Sequence, residues 1–141
     1  MASQLETTTA PTFRRGFSPS VSLAFLALAA ADVIIKLAGF NRLYRTVKQW
    51  PISKNGSNDR EIIASVCASV DRATTYYPRH ALCLQRSAVA TCLLRRKGVP
   101  AEMVIGCRKM PFHSHAWVEV DGEVVNDKKK VAQFYSILAR F

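Results

Sequence analysis

The sequence predicts an α+β domain in which N-terminal helices and a central helix pack on a small antiparallel sheet. Three observations carry that expectation. Apolar residues recur at helical spacing in three successive runs before Gly98, with a proline or a turn between runs. A strictly alternating run, His115 to Val120, then meets Asp121-Gly122 and a second short apolar stretch, which is the pattern of a β-hairpin. At 141 residues the chain is long enough to bury one core but not two.

Residues 1–20 are polar and rich in Thr, Ser and Pro, and are expected to be disordered; residues 21–141 form the single domain, with a helical part at 21–75 and a core at 76–141. From Val21 to Gly39 the chain is apolar except for Ser22, Asp32 and Lys36. Arg14-Arg15, the apolar stretch and the small residues Ala29 to Ala31 imitate a secretory signal, even a twin-arginine one. The apolar character runs on, however, through Val33, Ile34, Ile35 and Leu37 into Leu43, Val47 and Trp50, with Arg42, Arg45 and Lys48 between. Two charges within nineteen residues also make a poor membrane span. A core helix starting after Ser18-Pro19-Ser20 is expected, without stable membrane insertion.

Pro51 ends that element, and residues 53–59 form a loop with an Asn-Gly turn signal. Asp59 is the expected N-cap of a second helix, with Ile62, Ile63, Val66 and Val70 on one face. Tyr76-Tyr77-Pro78 closes it, because a residue before proline resists helical geometry. Leu82 to Lys97 reads as a third helix, apolar on both sides and therefore central. Arg95, Arg96 and Lys97 suit the negative end of its dipole, and Gly98 supplies a left-handed cap before Pro100. Ala101 to Cys107 and His115 to Val120 follow as strands, the second with His115, Trp117 and Glu119 on one face. Glu123 to Asn126 returns as a partner strand.

Charge and cysteines narrow the class. Twenty Lys and Arg against ten Asp and Glu give a net charge of +10, which favours anionic partners. The basic residues are scattered and no nucleic-acid motif organises them, so most read as a solvated surface; Lys128 to Lys130 reads the same way. The four cysteines, at 67, 83, 92 and 107, form no C-x-x-C pair and are expected to be reduced in a cytoplasmic protein. His113 and His115 share a strand face, yet no third ligand at familiar spacing accompanies them, so no metal is assigned.

Cys83 stands apart because it falls in the first turn of the third helix, where free N–H groups favour a thiolate and can hold an oxyanion. A helix bearing Cys followed by a hairpin bearing His is the layout of a Cys-His hydrolase, which needs a nucleophile, an imidazole to activate it and an acceptor to orient the imidazole.

The run from Cys83 through Ser87, Leu94, Arg95, Gly98-Val99-Pro100-Ala101, Gly106, Pro111-Phe112, then His115-Ala116-Trp117-Val118-Glu119 and Asp127, resembles the lasso-peptide leader peptidases. These are transglutaminase-like maturation proteases of the microcin-processing type. The resemblance covers roughly the last two-thirds of the chain and implies a papain-like cysteine protease fold and a triad at Cys83, His115 and Asp127. It further implies removal of a leader peptide from a ribosomal precursor, a separate leader-presenting protein as in split systems, an ATP-dependent cyclase that takes the core peptide, and no cofactor. Acyl transfer to an amine and a catalytically idle adaptor are the alternatives.

Four assignments stay open at this level. Trp117 is core or the wall of a substrate groove. Glu119 is a solvated strand residue. A second oxyanion donor is sought near Gln85 or Arg79. If Asp121-Gly122 is a two-residue turn, strand pairing puts Asn126 opposite Trp117, on the face of His115, and turns Asp127 away. The strand then carries a bulge, or Asp127 lies beyond the ladder, or Asn126 orients the imidazole; the family interval favours Asp127.

Overall fold

The computed structural model describes residues 18–79 and 83–141; residues 1–17 and 80–82, including His80, lie outside the described part, and the disorder expected for residues 1–20 does not hold at 18–20, which cap and begin the first helix. The first helix, α1, spans Pro19–Gln49. Ser18 caps it by accepting from the Val21 N–H, and Pro19 fits its first turn, where an N–H has no helical partner. Gly39 leaves helical geometry at φ 75°, ψ 175°, so the element is two helical segments with a break. Its inward face is Val21, Ala24, Leu28 and Ala31, then Leu43 and Val47.

Helix α2 (Arg60–Tyr76) starts at Asp59, whose Oδ1 accepts from the Glu61 N–H at 3.0 Å, and stops before Tyr77-Pro78. Cys67, Val70 and Ala73 are its most buried residues. Helix α3 (Cys83–Arg96) is central as expected, with Ser87 to Thr91 all buried. It ends at Gly98, whose φ of +84° is the left-handed conformation that residues with a Cβ avoid.

Arg95 departs from the expected role of a charge at a helix end. It is buried, and its guanidinium donates to the carbonyls of Val47 at 2.6 Å, Ala101 at 2.8 Å and Phe141 at 2.9 Å. One side chain thus ties the end of α1, the strand after α3 and the last residues to one another. Its planar fork of five donors serves carbonyls from three directions at once.

The sheet comprises β1 (Ala101–Arg108), β2 (His113–Val120), β3 (Glu123–Val124) and β4 (Ser136–Arg140), in the order β3-β2-β1-β4 with antiparallel neighbours. Asp121 and Gly122 both have positive φ, at 51° and 78°, which is the twist a two-residue hairpin requires. The β1–β4 pairing shifts register between Ile105 and Gly106: Ile105 faces Ala139 but Gly106 faces Ile137. Ala101, Met103, Val118 and Val120 meet the helices in the main core. On the opposite face, Val104 and Trp117 form a smaller core with Val131, from the short helix α4 (Val131–Phe134).

The α4–β4 segment was not expected from sequence, and β3 is shorter than the predicted strand at 123–126. Past Val124 the ladder is continued by one backbone bond, Val125 N–H to the Val118 carbonyl, and then by a side chain: Asn126 Oδ1 accepts from the Val118 N–H at 2.7 Å. The chain has by then turned off the strand.

Candidate active site

Because β3 is so short, β2 is the edge of the sheet from Val118 back towards His115. Unpaired backbone groups on such an edge need partners. Ser87 of α3 provides one, its Oγ donating to the Ala116 carbonyl at 3.0 Å; the same Oγ accepts from Asn126 Nδ2 at 3.1 Å. Arg86 donates to the Asn126 carbonyl at 2.9 Å and pairs with Asp71 of α2 at 2.9 Å. Two adjacent residues of α3 thereby fix the strand that carries His115 and the loop that carries Asp127.

Cys83 is one turn before Ser87 on the same face of α3. At its other end α3 meets the sheet where Arg95 bonds the Ala101 carbonyl, and Ala101 pairs with Val120, so α3 runs in the direction of β2. Four helical residues rise about 6 Å and two strand residues about 6.6 Å. Stepping back from the Ser87–Ala116 bond brings the start of α3 level with Ser114 and His115.

His115 and Asp127 meet at 2.6 Å, Nε2 to Oδ2, each about one-fifth exposed. A carboxylate only accepts, so Nε2 donates this bond and Nδ1 is the nitrogen left for another partner. Burial acts to raise the Asp127 pKa, but the hydrogen bond from His115, the backbone N–H of Lys128 at 2.7 Å and the positive charge of Arg86 together hold it below the usual carboxylate value. Of the three resolutions the hairpin left open, Asp127 beyond the ladder is the one observed. Asn126 meanwhile spends its side chain on Val118 and Ser87.

The imidazole rests on an aromatic bed. The rings of Tyr135 and Trp117 lie 5.5 and 6.2 Å from it, centroid to centroid, and the Tyr135 hydroxyl meets His113 Nδ1 at 3.0 Å. Gly106, across from His115 in β1, makes the room: a Cβ there would come within 2.8 Å of both Trp117 and Tyr135. Trp117 is 0 % exposed, which fits core and leaves no surface for a groove wall. Glu119 corrects the expectation of a solvated residue. It is 4 % exposed, accepts from Trp117 Nε1 at 2.8 Å and pairs with Arg140 of β4 at 2.7 Å. Alternation put Glu119 on the right face, but that face is covered by a segment the sequence did not reveal.

Arg79 and Gln85 are not brought together. Arg79 reaches towards Asp32 of α1 at 3.8 Å, whereas Gln85 is buried in α3 with an Oε1 that has no hydrogen-bond partner among the described residues. Among the described residues no group of three or more His, Cys, Asp or Glu is placed to hold a metal ion. All four cysteines are free, and burial pushes the Cys67 and Cys92 thiols up to about 11.

The transglutaminase-like superfamily core matches residues 25–139, nearly the whole described chain. The chain belongs to the transglutaminase-like superfamily. Among curated proteins, the microcin J25-processing protein McjB of Escherichia coli is 40 % identical over 57 residues. That stretch is 40 % of this chain and 27 % of McjB, so the match spans about a quarter of the relative's length. No solved structure matches.

Proposed function

We propose that this transglutaminase-like protein is a cysteine peptidase that removes the leader from a ribosomal lasso-peptide precursor. The observation that carries the reading is the His115–Asp127 bond, set at the sheet edge to which Ser87 ties the start of α3. Likeness to a microcin-processing protein supports the substrate class.

Cys83 Sγ attacks the scissile carbonyl carbon while its proton passes to His115 Nδ1. The Cys83 backbone N–H, at the helix start, faces the developing oxyanion. Collapse of the tetrahedral adduct expels the amine, which takes the proton from Nδ1 and leaves a thioester. Water then attacks the thioester, giving its proton to Nδ1, and the carboxylate departs as the thiol reforms. Asp127 keeps Nε2 protonated throughout, so that Nδ1 is the nitrogen that cycles. A separate presenting protein brings the leader, and an ATP-dependent cyclase receives the core peptide. Four unpaired cysteines fit a reducing compartment, and we place the reaction in the cytoplasm.

The test is incubation with a lasso precursor and its presenting protein, read by mass. Cleavage between leader and core is expected from the wild type and from Cys67→Ala, Cys92→Ala and Cys107→Ala, and none from Cys83→Ala. Wild-type cleavage by Cys83→Ala, or an amide product in place of the acid when an amine is added, would overturn the mechanism.

A further inference from the structure

Helix α1 is anchored through one face only. Val21, Ala24, Leu28 and Ala31 are buried against the rest of the domain, while just 22 % of the most apolar eighteen-residue window is buried. The outer face carries Leu23, Leu26, Ala30, Val33 and Leu37, all exposed, at steps of three, four, three and four residues. Leu26 is 66 % and Leu37 84 % exposed. This stripe runs about 21 Å along the helix, at 1.5 Å per residue. A soluble surface rarely leaves so continuous an apolar strip uncovered.

The charge beside it says what covers it. Lys36 is paired with Asp32 at 2.8 Å, but from Leu37 to Asn58 the chain holds Arg42, Arg45, Lys48 and Lys54 and not one acid. Arg42, Arg45 and Lys48 are exposed in the second segment of α1, directly after the stripe, and exposed Phe40, Trp50 and Ile52 lie among them. An apolar strip continued by basic residues and aromatic rings is complementary to an anionic lipid surface, with acyl chains for the strip and headgroup phosphates for the cations. The spacing also suits a coiled-coil seam with a second copy. The positions flanking such a seam, Ser22, Ala27, Ala29, Ile34 and Lys36, however, offer one base and no acid to pair across it, and each copy brings a charge of +10.

We infer that α1 docks the protein flat on an anionic membrane surface, its stripe in the acyl boundary and its second segment at the headgroups. With the opposite face held by the domain core, the helix lies in the interface and does not cross the bilayer.

The experiment is flotation of the full chain with vesicles of phosphatidylcholine alone and of phosphatidylcholine with phosphatidylglycerol. At least tenfold more protein is expected on the anionic vesicles, falling several-fold in 0.5 M salt. Leu26→Ser with Leu37→Ser should lower binding about tenfold, and Arg42→Gln with Arg45→Gln and Lys48→Gln should remove the preference for phosphatidylglycerol. Thermal melting checks the fold of each variant. If the double change destabilises, Leu37→Ser alone, at the most exposed position of the stripe, carries the same test. Failure to float, or flotation of the stripe variants at the wild-type level, overturns the inference. So does light scattering that finds a dimer which the stripe variants dissociate, since the stripe is then covered by a second copy.

Discussion

Substituting Asn126 and Asp127 separately should split stability from turnover. Asn126→Ala deletes two hydrogen bonds, to the Val118 N–H and to Ser87 Oγ, and strands a partly buried N–H on the sheet edge. At about 1 kcal/mol for a typical bond and 1–3 kcal/mol for an unsatisfied group, the loss is about 2–4 kcal/mol. With roughly 2.1 cal/mol/K per residue over the about 120 described residues, that corresponds to a Tm lower by about 8–16 °C. Asp127→Ala removes the partner of a group one-fifth in solvent, and should cost about 1 kcal/mol, or about 4 °C. Turnover should show the reverse. Asp127→Ala frees the imidazole to adopt the wrong tautomer and should reduce kcat by about 10²- to 10⁴-fold with little change in KM. Asn126→Ala, assayed well below its melting temperature, should stay within severalfold of wild type. Differential scanning fluorimetry and single-turnover cleavage read by mass measure both quantities. If Asn126→Ala melts like wild type and is inactive while Asp127→Ala cleaves normally, the orienting group is Asn126 and the assignment is wrong.

Gly106→Ala should lower stability by about 1–3 kcal/mol through overpacking and depress kcat, because the new methyl pushes Trp117 and Tyr135 out of the bed beneath His115; a melt and a rate measurement check both. Native alkylation at pH 7.5, mapped by peptide mass, should leave Cys67 and Cys92 unmodified, since thiols with pKa pushed up to about 11 are only about one part in 3,000 thiolate; fast labelling of either would contradict its burial. The pH dependence of Asp127 follows from its lowered pKa: the pair's contribution to stability is complete above the usual carboxylate range near pH 4 and is lost as pH falls through the lower folded value. The Tm advantage of wild type over Asp127→Asn should therefore vanish as the pH falls below the usual carboxylate range. Glu119→Ala should cost about 1–3 kcal/mol, because it leaves the Trp117 N–H unpaired in the core.

What the sequence revealed is what short stretches decide. Ser18-Pro19, Asp59, Tyr77-Pro78 and Gly98 mark helix ends because caps act over three or four residues, and Asp121-Gly122 marks the hairpin for the same reason. What it hid depends on distant partners. Arg95 looked like a charge at a helix end, yet its carbonyls belong to residues up to 48 positions away. Glu119 looked solvated because β4, whose exposed Ser136–Arg140 run shows no alternation of burial, gave no sign that Arg140 would meet it. Ser87 and Asn126 are ordinary polar residues until the brevity of β3 leaves backbone groups for them to satisfy. That brevity depends on where the chain leaves the ladder, and no local residue pattern announces it.

The register shift in the β1–β4 pairing bears on how this protein behaves when concentrated. Strands at the margin of a sheet can recruit other chains unless something blunts them. Here Ile105 and Gly106 of β1 face Ala139 and Ile137, so Leu138 is an extra residue that bends β4 and spoils its outer row of donors and acceptors. At the far margin β3 covers β2 only at Glu119 and Val120, and on the β2 edge beyond it Ser87 occupies the Ala116 carbonyl and Asn126 the Val118 N–H. Neither side is a template for strand addition, so stacking of copies through the sheet is disfavoured, and a peptide docking here has to be gripped by side chains and loops rather than zipped on as a fifth strand.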